Sequence, residues 1–366
     1  MQNKSINHDA ILFIINGLGL GNSTRCDALI QEFIKDKWRV DVATSGNGIS
    51  YFEKKAYITE LLKISSFFYG VKNNNLSILR TFLAIPIFVR RMIRNAYNLY
   101  SILKDNNYRC IVIDSEYSIT FLKPFIRTPI IAINNADLII CEVKRLGSVP
   151  PNIWPQLLIE NMDFWFHQVI PDLVLSPVFL EAPRDTKKIK HIGSIIRNTL
   201  KFESHKAEPN NILVMLSGSQ FHGSHTFLHK LERIPEIDIH VLGESDVPSE
   251  HLHYYGKSFD QTRLLVQADI MIINGGFSAV SEALILRKPV IIIPVKNHAE
   301  QFINAYIMER AGFGIMADPG CIDLKLRELI ERYQEFVLNH KTRNFSKRDQ
   351  IHAKSLIISF LEKNET

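Results

Sequence analysis

Short apolar runs alternate with amphipathic segments along the first half of the chain. The runs occupy residues 10–15, 39–44, 110–114, 129–134 and 171–176. Strands that helices cover on both faces lack the polar alternation of half-exposed strands, so these runs predict buried parallel strands. A glycine-rich loop is predicted at residues 16–24, followed by a helix from about residue 25 to 35. The pattern therefore predicts an α/β unit built on a parallel sheet.

The same alternation begins again after a polar stretch at residues 203–211. Further apolar runs occupy residues 211–216, 237–242, 268–274 and 289–294. Because 366 residues exceed what one hydrophobic core normally accommodates, two successive open α/β domains are predicted, with a linker near 195–210. The predicted division is 1–200, 201–345 and a terminal helix, 346–366, that returns to the first domain. Ligands of such sheets bind at the carboxyl ends of the strands, so the cleft between the domains is the predicted site.

Composition narrows the class of protein. The formal net charge of +5 is too small to indicate nucleic-acid binding, but it is compatible with phosphorylated ligands or an anionic membrane surface. The four cysteines form no C-x-x-C pair, which argues against a disulfide framework or a metal site and favours a reducing compartment. No export signal is evident, and the longest apolar run, 82–89, is far too short to span a bilayer. A cytoplasmic protein is predicted.

A candidate binding motif occurs in "INGGFSAVSEAL", residues 273–284, where a predicted strand is followed by a helix. Gly275 and Gly276 let the backbone approach a ligand closely, and the amides of a helix N-terminus favour an anion such as a diphosphate. Ser278 adds a hydroxyl, and Glu282 follows on the same helix face, where it can accept hydrogen bonds from ribose hydroxyls. The alternative is a plain tight turn with a solvated glutamate, because short fingerprints give false positives.

The following segment supports the nucleotide interpretation. In "VKNHAEQFINA", residues 295–305, Glu300 and Gln301 begin another helix and can hydrogen-bond the hydroxyls of a sugar. Residues 274–305 as a whole resemble the donor-site signature of GT-B glycosyltransferases. The stretch is similar to the MurG and UDP-glucuronosyltransferase families, which have a family 28 type C-terminal domain. "GLGLGNSTRC", residues 17–26, resembles the glycine-rich first loop of these families.

The resemblance implies an α/β protein of GT-B fold, with two Rossmann-like domains facing each other across a cleft. The first domain would bind the acceptor and the second the nucleotide-sugar, a substrate, so no cofactor and no metal are expected. The implied donor-binding residues are Gly19, Gly21, Asn22, Ser217, Gly218, Ser219, Asn274, Gly275, Gly276, Ser278, Glu282, Glu300 and Gln301. The implied reaction is an inverting transfer from a UDP-sugar. A UDP-sugar hydrolase, an epimerase and a non-catalytic nucleotide-sugar-binding partner of another transferase are the alternatives.

The sequence departs from the family where a base is expected. Asn22 and Asn274 stand where relatives often have histidine, and an amide does not titrate near neutral pH. An inverting transfer still needs a proton acceptor, and we assign that role to Asp114 and Glu116. Asp114 ends a predicted strand and is expected to point into the cleft, although it can equally cap the next helix. Asp137 is a further candidate.

The segment 78–100 mixes four arginines with aromatic and aliphatic residues. Such a helix can lie on an anionic lipid surface, which would suit a lipid-linked acceptor and a location at the inner face of the membrane. The alternative is a core-packed helix with an arginine edge, and a glycan acceptor. The identities of nucleotide, sugar and acceptor are left open by the sequence.

Overall fold

The protein is described by a computed structural model, which covers residues 9–66, 70–72, 75–216, 225–231, 234, 237–243, 250–256, 261–343 and 347–365. In the first half, the strands are β1 Ala10–Ile15, β2 Arg39–Thr44, β3 Glu60–Lys63, β4 Val71–Lys72, β5 Asn75–Leu76, β6 Cys110–Asp114, β7 Ile130–Ile133, β8 Leu173–Pro177 and β9 Ile189–Ile192. The helices there are α1 Leu20–Lys35, α2 Gly46–Phe52, α3 Ile78–Leu83, α4 Ile85–Asp105, α5 Ala136–Leu146 and α6 Trp154–Val169.

The second half repeats the alternation and ends in helices. Its strands are β10 Asn211–Met215, β11 Asp238–Leu242, β12 Leu252–Tyr254, β13 Ile270–Ile273, β14 Val290–Ile292 and β15 Gly314–Met316. Its helices are α7 His225–Leu231, α8 Thr262–Gln267, α9 Phe277–Ile285, α10 Ala299–Arg310, α11 Ile322–Glu331, α12 Tyr333–Thr342 and α13 Gln350–Glu365.

Two separate parallel sheets organise the chain. Within the described residues, one sheet has the order β3-β2-β1-β6-β7-β8-β9 and the other has the order β12-β11-β10-β13-β14-β15. Every pairing in both sheets is parallel, as in the registers Ile15↔Asp114 and Ile273↔Ile292. The apolar runs form these strands because helices cover both faces of each sheet. The predicted pair of α/β sheets is confirmed.

Two predicted helices have different bounds in the structure. The first was predicted to begin near residue 25, yet α1 begins at Leu20 with Gly19 as its N-cap. The glycine-rich stretch is therefore partly helical rather than a loop throughout, which places Gly21 and Asn22 in the first turn. The segment 78–100, which the sequence predicts to be a helix, is divided between α3 and α4 at Ala84, two residues before Pro86. Proline is well accommodated in a first helical turn, where its missing N–H is not needed.

The two halves share an apolar core at the cleft. Leu138 and Leu157 of the first half belong to the same buried cluster as Ile303 and Met308 of the second. The terminal helix α13 lies against α1, where Lys354 Nζ donates to the Glu32 carbonyl at 2.8 Å and Ala353, Ile357 and Leu361 join the first core. Burying these surfaces together stabilises one arrangement of the halves.

Candidate active site

One large cavity lies between the two sheets. Its volume is about 710 Å³, and residues from both halves line it. Asn16 and Ser115 mark the carboxyl ends of β1 and β6, and Asn274 marks that of β13. Adjacent strands whose crossovers lead to opposite sides of a sheet leave such a crevice at their carboxyl ends. The cavity therefore stands where parallel sheets bind ligands.

Two helix N-termini meet at this cavity. Gly19 caps α1 and Gly276 caps α9, and neither cap has a side chain to accept hydrogen bonds from the first-turn amides. The helices approach so closely that a Cβ on Gly21 would lie 3.0 Å from Ser278 Oγ. Both helix dipoles place positive charge at this point, which is a favourable position for an anion.

The paired glycines of the second motif have different roles. Gly275 has a φ of +84°, and a Cβ there would lie 2.7 Å from Ile292 Cγ2 and 2.9 Å from the Gln301 carbonyl oxygen. Asn304 Nδ2 fixes this turn by donating to the Gly275 carbonyl at 3.0 Å. Gly276 lines the cavity, and a Cβ there would have nothing within 4 Å. Gly275 thus builds the turn, and Gly276 keeps the space before α9 open.

Glu282 lines the cavity but already has a partner. Arg197 donates to it twice, from Nε to Oε1 at 2.8 Å and from Nη2 to Oε2 at 3.0 Å. Arg197 lies on the crossover between β9 and β10, and both side chains are largely buried. This bidentate pair joins the two halves at the rim of the cavity.

Glu300 begins α10 and lies near the N-terminus of α9. Burial raises the pKa of its carboxyl group, although Arg25 and a hydrogen bond from the Phe277 amide oppose the rise. A carboxylate of the protein thus already accepts from an α9 amide. This contact indicates that the N-terminus of α9 attracts anions.

Gln301 and Asn274 also line the cavity, and the side chain of each hydrogen-bonds the backbone just after β14. Gln301 Oε1 accepts from the Val295 amide at 2.9 Å, and Asn274 Nδ2 donates to the Ile293 carbonyl at 3.1 Å. Both side chains therefore help to shape the loop after β14. His298, on the same loop, is buried, and burial lowers the pKa of its imidazole to about 4, so this ring is neutral at pH 7.

Asp114 does not point into the cleft, contrary to the prediction from sequence. Its buried carboxylate accepts from Arg25 Nε at 2.9 Å and from Arg25 Nη2 at 2.7 Å, with Cys26 Sγ at 3.3 Å. Burial alone would lower the pKa of Arg25, but nearby negative charge, chiefly the charge and hydrogen bonds of Asp114, together outweighs burial and raises the pKa. Arg25 lines the cavity, whereas Asp114 lies behind it. The role that the structure gives Asp114 is to position a cation.

Glu116 also points away from the cavity. Its carboxylate accepts from the Ser118 amide at 2.9 Å and from Ser118 Oγ at 2.6 Å, and burial raises its pKa. Ser115, with a φ of +51°, forms the turn after β6. As a result Ser115 and Tyr117 line the cavity, whereas Asp114 and Glu116 do not. The third candidate, Asp137, is held by Ser176 Oγ at 2.6 Å and His191 Nε2 at 2.7 Å.

Four charged cavity residues were not singled out from the sequence: Arg25, Glu160, Asp163 and Arg197. Glu160 and Asp163 are three positions apart on α6 and therefore face the same side. That spacing, in "IENMDFWFH", was the only available signal, and it is common to many solvated helices. The two arginines carried no signal because their partners lie far away in sequence.

The remaining donor-site predictions divide in two. Gly19, Gly21, Asn22 and Ser278 line the cavity, and their role in donor binding stays a prediction. Residues Ser217, Gly218 and Ser219 lie outside the described residues. In the part of the chain that the structure describes, no group of three or more His, Cys, Asp or Glu side chains is arranged to hold a metal ion.

Comparison with known proteins identifies the family. Residues 9–333 match the model described as Glycosyl transferase family 1. The chain belongs to this family. An uncharacterized glycosyltransferase of Methanosarcina acetivorans is 23% identical to this glycosyltransferase over 347 residues, which are 88% of this chain and 90% of the relative.

Two further comparisons find a named transferase and a solved structure that are similar to this chain. One is the UDP-N-acetylglucosamine--N-acetylmuramyl-(pentapeptide) pyrophosphoryl-undecaprenol N-acetylglucosamine transferase of Geobacillus thermodenitrificans. It is 29% identical over 154 residues, 35% of this chain and 42% of that protein. The crystal structure of MurG from Acinetobacter baumannii matches with a TM-score of 0.60 and 13% identity, over 96% of this chain and 99% of that chain. The predictions of a GT-B fold and of a glycosyltransferase enzyme are confirmed.

Proposed function

We propose that this glycosyltransferase moves a sugar from a UDP-sugar to an amphiphilic, lipid-linked acceptor, with inversion and without a metal ion. The observation that carries the proposal is the meeting of two uncapped helix N-termini, α1 and α9, at a cavity with a buried arginine behind them. Helix amides and a guanidinium are the groups that stabilise a leaving diphosphate when no metal does so.

The donor half of the site follows from the second sheet. The diphosphate lies at Gly276 and Ser278, facing Arg25, and the ribose hydroxyls lie at Glu282. Glu300, between the α9 N-terminus and the first half, faces the sugar. A UDP donor is favoured because the Geobacillus relative is named for one. In-line attack from the opposite half of the cavity inverts the anomeric carbon.

The acceptor half has a different character. Apolar side chains of α3, α4 and α6 line it: Phe82, Ile85, Phe88, Val89, Met92, Ile159, Met162 and Phe166. Pockets that are lined mainly by such side chains bind apolar groups, with a few polar groups fixing orientation. An acceptor with a hydrocarbon part fits this wall better than a fully polar glycan does.

The apolar wall continues onto the outer surface. The exposed side chains there include Leu79, Leu83, Ile87, Ile93 and Tyr97 of α3 and α4, and Trp154, Leu158, Trp165 and Val169 of α6. Arg80, Arg90 and Arg94 are exposed among them. This is the composition of a surface that lies on an anionic bilayer, where the apolar groups enter the interface and the arginines pair with headgroups. No helix among the described residues has both the length and the apolar character to cross a membrane.

The donor assignment is tested by thermal denaturation with UDP, dTDP, GDP and CMP. A nucleotide at about 100 times its Kd should add about 2.7 kcal/mol to the free energy of unfolding. We expect UDP to raise Tm of the wild type and to have a much smaller effect on Glu282→Gln. The matched control is Glu362→Gln on the exposed face of α13, which should respond like the wild type. Absence of any nucleotide effect on the wild type would contradict the proposed donor site.

The membrane surface is tested by vesicle sedimentation. The wild type should bind phosphatidylcholine vesicles that contain phosphatidylglycerol, and binding should weaken with salt. Leu83→Glu and Tyr97→Glu, at side chains 71% and 78% exposed, should abolish it, whereas Ile351→Glu, at a side chain 68% exposed on α13, should not. Equal binding by all three variants would count against this surface.

A further inference from the structure

Sugar transfer to a hydroxyl needs a group that accepts its proton, and the predicted acids Asp114 and Glu116 do not reach the cavity. Among the residues that the structure describes, the carboxylates that line the cavity are Glu160, Asp163, Glu282 and Glu300. They differ in how many hydrogen bonds each already accepts. A general base must keep an oxygen available for the proton of the substrate, so this difference discriminates among them.

Two of the four are committed to other groups. Both oxygens of Glu282 accept from Arg197. Asp163 Oδ1 accepts from Tyr117 Oη at 2.8 Å and lies 3.1 Å from His167 Nδ1, while Oδ2 accepts from Asn134 Nδ2 at 2.8 Å. Burial alone would raise the pKa of Asp163, but these hydrogen bonds outweigh burial and hold the pKa below its usual value. Asp163 is therefore a fixed negative charge.

Glu300 belongs to the donor side of the cavity. It begins α10 and accepts from the Phe277 amide at the N-terminus of α9, where the diphosphate is placed. A carboxylate on the same side as the leaving group is poorly placed to take a proton from a nucleophile that attacks from the opposite side. Glu160 is left, on α6 of the first half.

The surroundings of Glu160 match the acceptor side. It lies between Ile159 and Met162, which line the apolar wall. Within the described part of the chain, its side chain accepts one hydrogen bond, from Gln156 Nε2 to Oε1 at 3.1 Å. Burial, Glu300 and Asp163 together raise the pKa of Glu160 to about 8. A base works best when its pKa lies near the working pH, and neighbouring acids pushed to opposite sides of neutrality are typical of catalytic pairs.

We propose that Glu160 is the general base of the transfer, with Asp163 as its fixed, hydrogen-bonded neighbour on the same face of α6. This inference rests on the proposed function. The acceptor O–H bond breaks and its proton passes to Glu160 Oε2, while the oxygen forms a bond to the anomeric carbon. The bond from that carbon to the diphosphate oxygen breaks, and its electron pair leaves with UDP at the α9 N-terminus. Glu160 then returns the proton to solvent.

The test compares wild type, Glu160→Gln and Glu160→Asp. The probes are UDP-glucose and UDP-N-acetylglucosamine as donors with octyl glucoside as an amphiphilic alcohol, and the readout is UDP release. We expect Glu160→Gln to lower kcat by about 100-fold or more, to leave the Kd for UDP unchanged, and to abolish the rise of kcat/KM with pH up to about 8. Azide, which attacks without losing a proton, should restore sugar transfer in this variant, and Glu160→Asp should restore part of the normal rate.

Retention of the wild-type rate and pH profile in Glu160→Gln would overturn the assignment while leaving the proposed function intact. A second measurement needs no substrate. Infrared difference spectra between about pH 6 and pH 9.5 should contain a carboxyl band in the wild type that is missing in Glu160→Gln. The same band in both proteins would overturn the assignment. If this band is present but the wild type binds no nucleotide, the proposed donor site is wrong while the assignment of the titrating carboxyl group to Glu160 is retained.

Discussion

Replacing Gly276 by alanine tests where the proposed diphosphate binds while changing the stability of the fold only slightly. The residue is the N-cap of α9, with φ −62° and ψ 141°, a conformation that alanine adopts without strain. The added methyl meets no heavy atom within 4 Å, and Gly276 lines the cavity. The methyl therefore extends into the space that the proposed diphosphate occupies.

The magnitudes of the two effects differ. Alanine is a poorer N-cap than glycine, which destabilises the variant by up to about 1 kcal/mol. Alanine also lowers the conformational entropy of the unfolded chain, which stabilises the variant by about 0.4–1 kcal/mol. The free energy of unfolding should therefore change by less than about 1 kcal/mol. A hydrogen bond from a first-turn amide to a charged oxygen contributes about 1.5–3 kcal/mol, so losing one weakens UDP binding roughly 10- to 150-fold.

Urea denaturation and isothermal titration with UDP give both quantities for one preparation. Gly320→Ala is the matched control, because a Cβ there also has nothing within 4 Å and the residue is exposed outside the cavity. It should leave stability and affinity unchanged. If Gly276→Ala is folded and binds UDP as tightly as the control, the diphosphate does not lie at the N-terminus of α9.

Three other perturbations test the packing around the site. Gly275→Ala should destabilise the protein by about 2–4 kcal/mol in urea, since it combines a φ of +84° with a Cβ 2.7 Å from Ile292; an unchanged midpoint would refute the strain argument. Arg197→Met leaves Glu282 buried without its guanidinium partner and should lower the free energy of unfolding by about 3 kcal/mol. Adding Glu282→Gln should recover part of this loss in a double-mutant cycle. Strict additivity of the two single effects would mean that the pair contributes nothing to stability. Burial lowers the pKa of His340 to about 3, below its usual 6.5, so the folded state binds its proton less readily than the unfolded state does. The contribution of neutral His340 to the free energy of unfolding is present above pH 6.5 and is lost as the pH falls toward 3. The loss between pH 7 and pH 5 is about 2 kcal/mol. The free energy of unfolding of His340→Phe should therefore depend less steeply on pH than that of the wild type.

The strands were predictable because burial on both faces requires apolar residues throughout. Each of the apolar runs at residues 10–15, 39–44 and 110–114 forms a strand with the predicted bounds. The start of α1 was not predictable in the same way. Glycine is unfavourable inside a helix, so Gly21 argued for a loop, yet a side chain at this position would press on Ser278 of α9. The tertiary contact outweighs the local preference.

The base illustrates a different limit of sequence reasoning. A strand that ends in an acid predicts a carboxylate at the edge of the sheet, and Asp114 lies at that edge. Which side it faces depends on Arg25, which comes from a helix 89 positions earlier and takes both of its oxygens. No spacing rule connects the two residues. An acidic residue whose ion-pair partner is distant in sequence therefore cannot be distinguished from a catalytic acid until its hydrogen bonds are known.

The donor and acceptor halves of the site differ in how they are encoded. A diphosphate can be bound by backbone amides, so glycines and one helix start, all within residues 274–301, suffice to signal its place. The proposed amphiphilic acceptor would be bound by side chains that any amphipathic helix can carry, and α4 and α6 contribute such side chains from positions more than sixty residues apart. Even the proposed donor half is completed from elsewhere, because Arg25 and Arg197, two arginines that line the cavity, both come from outside the motif. The motif therefore identifies the chemistry, whereas the substrate preference is determined by residues that only the fold brings together.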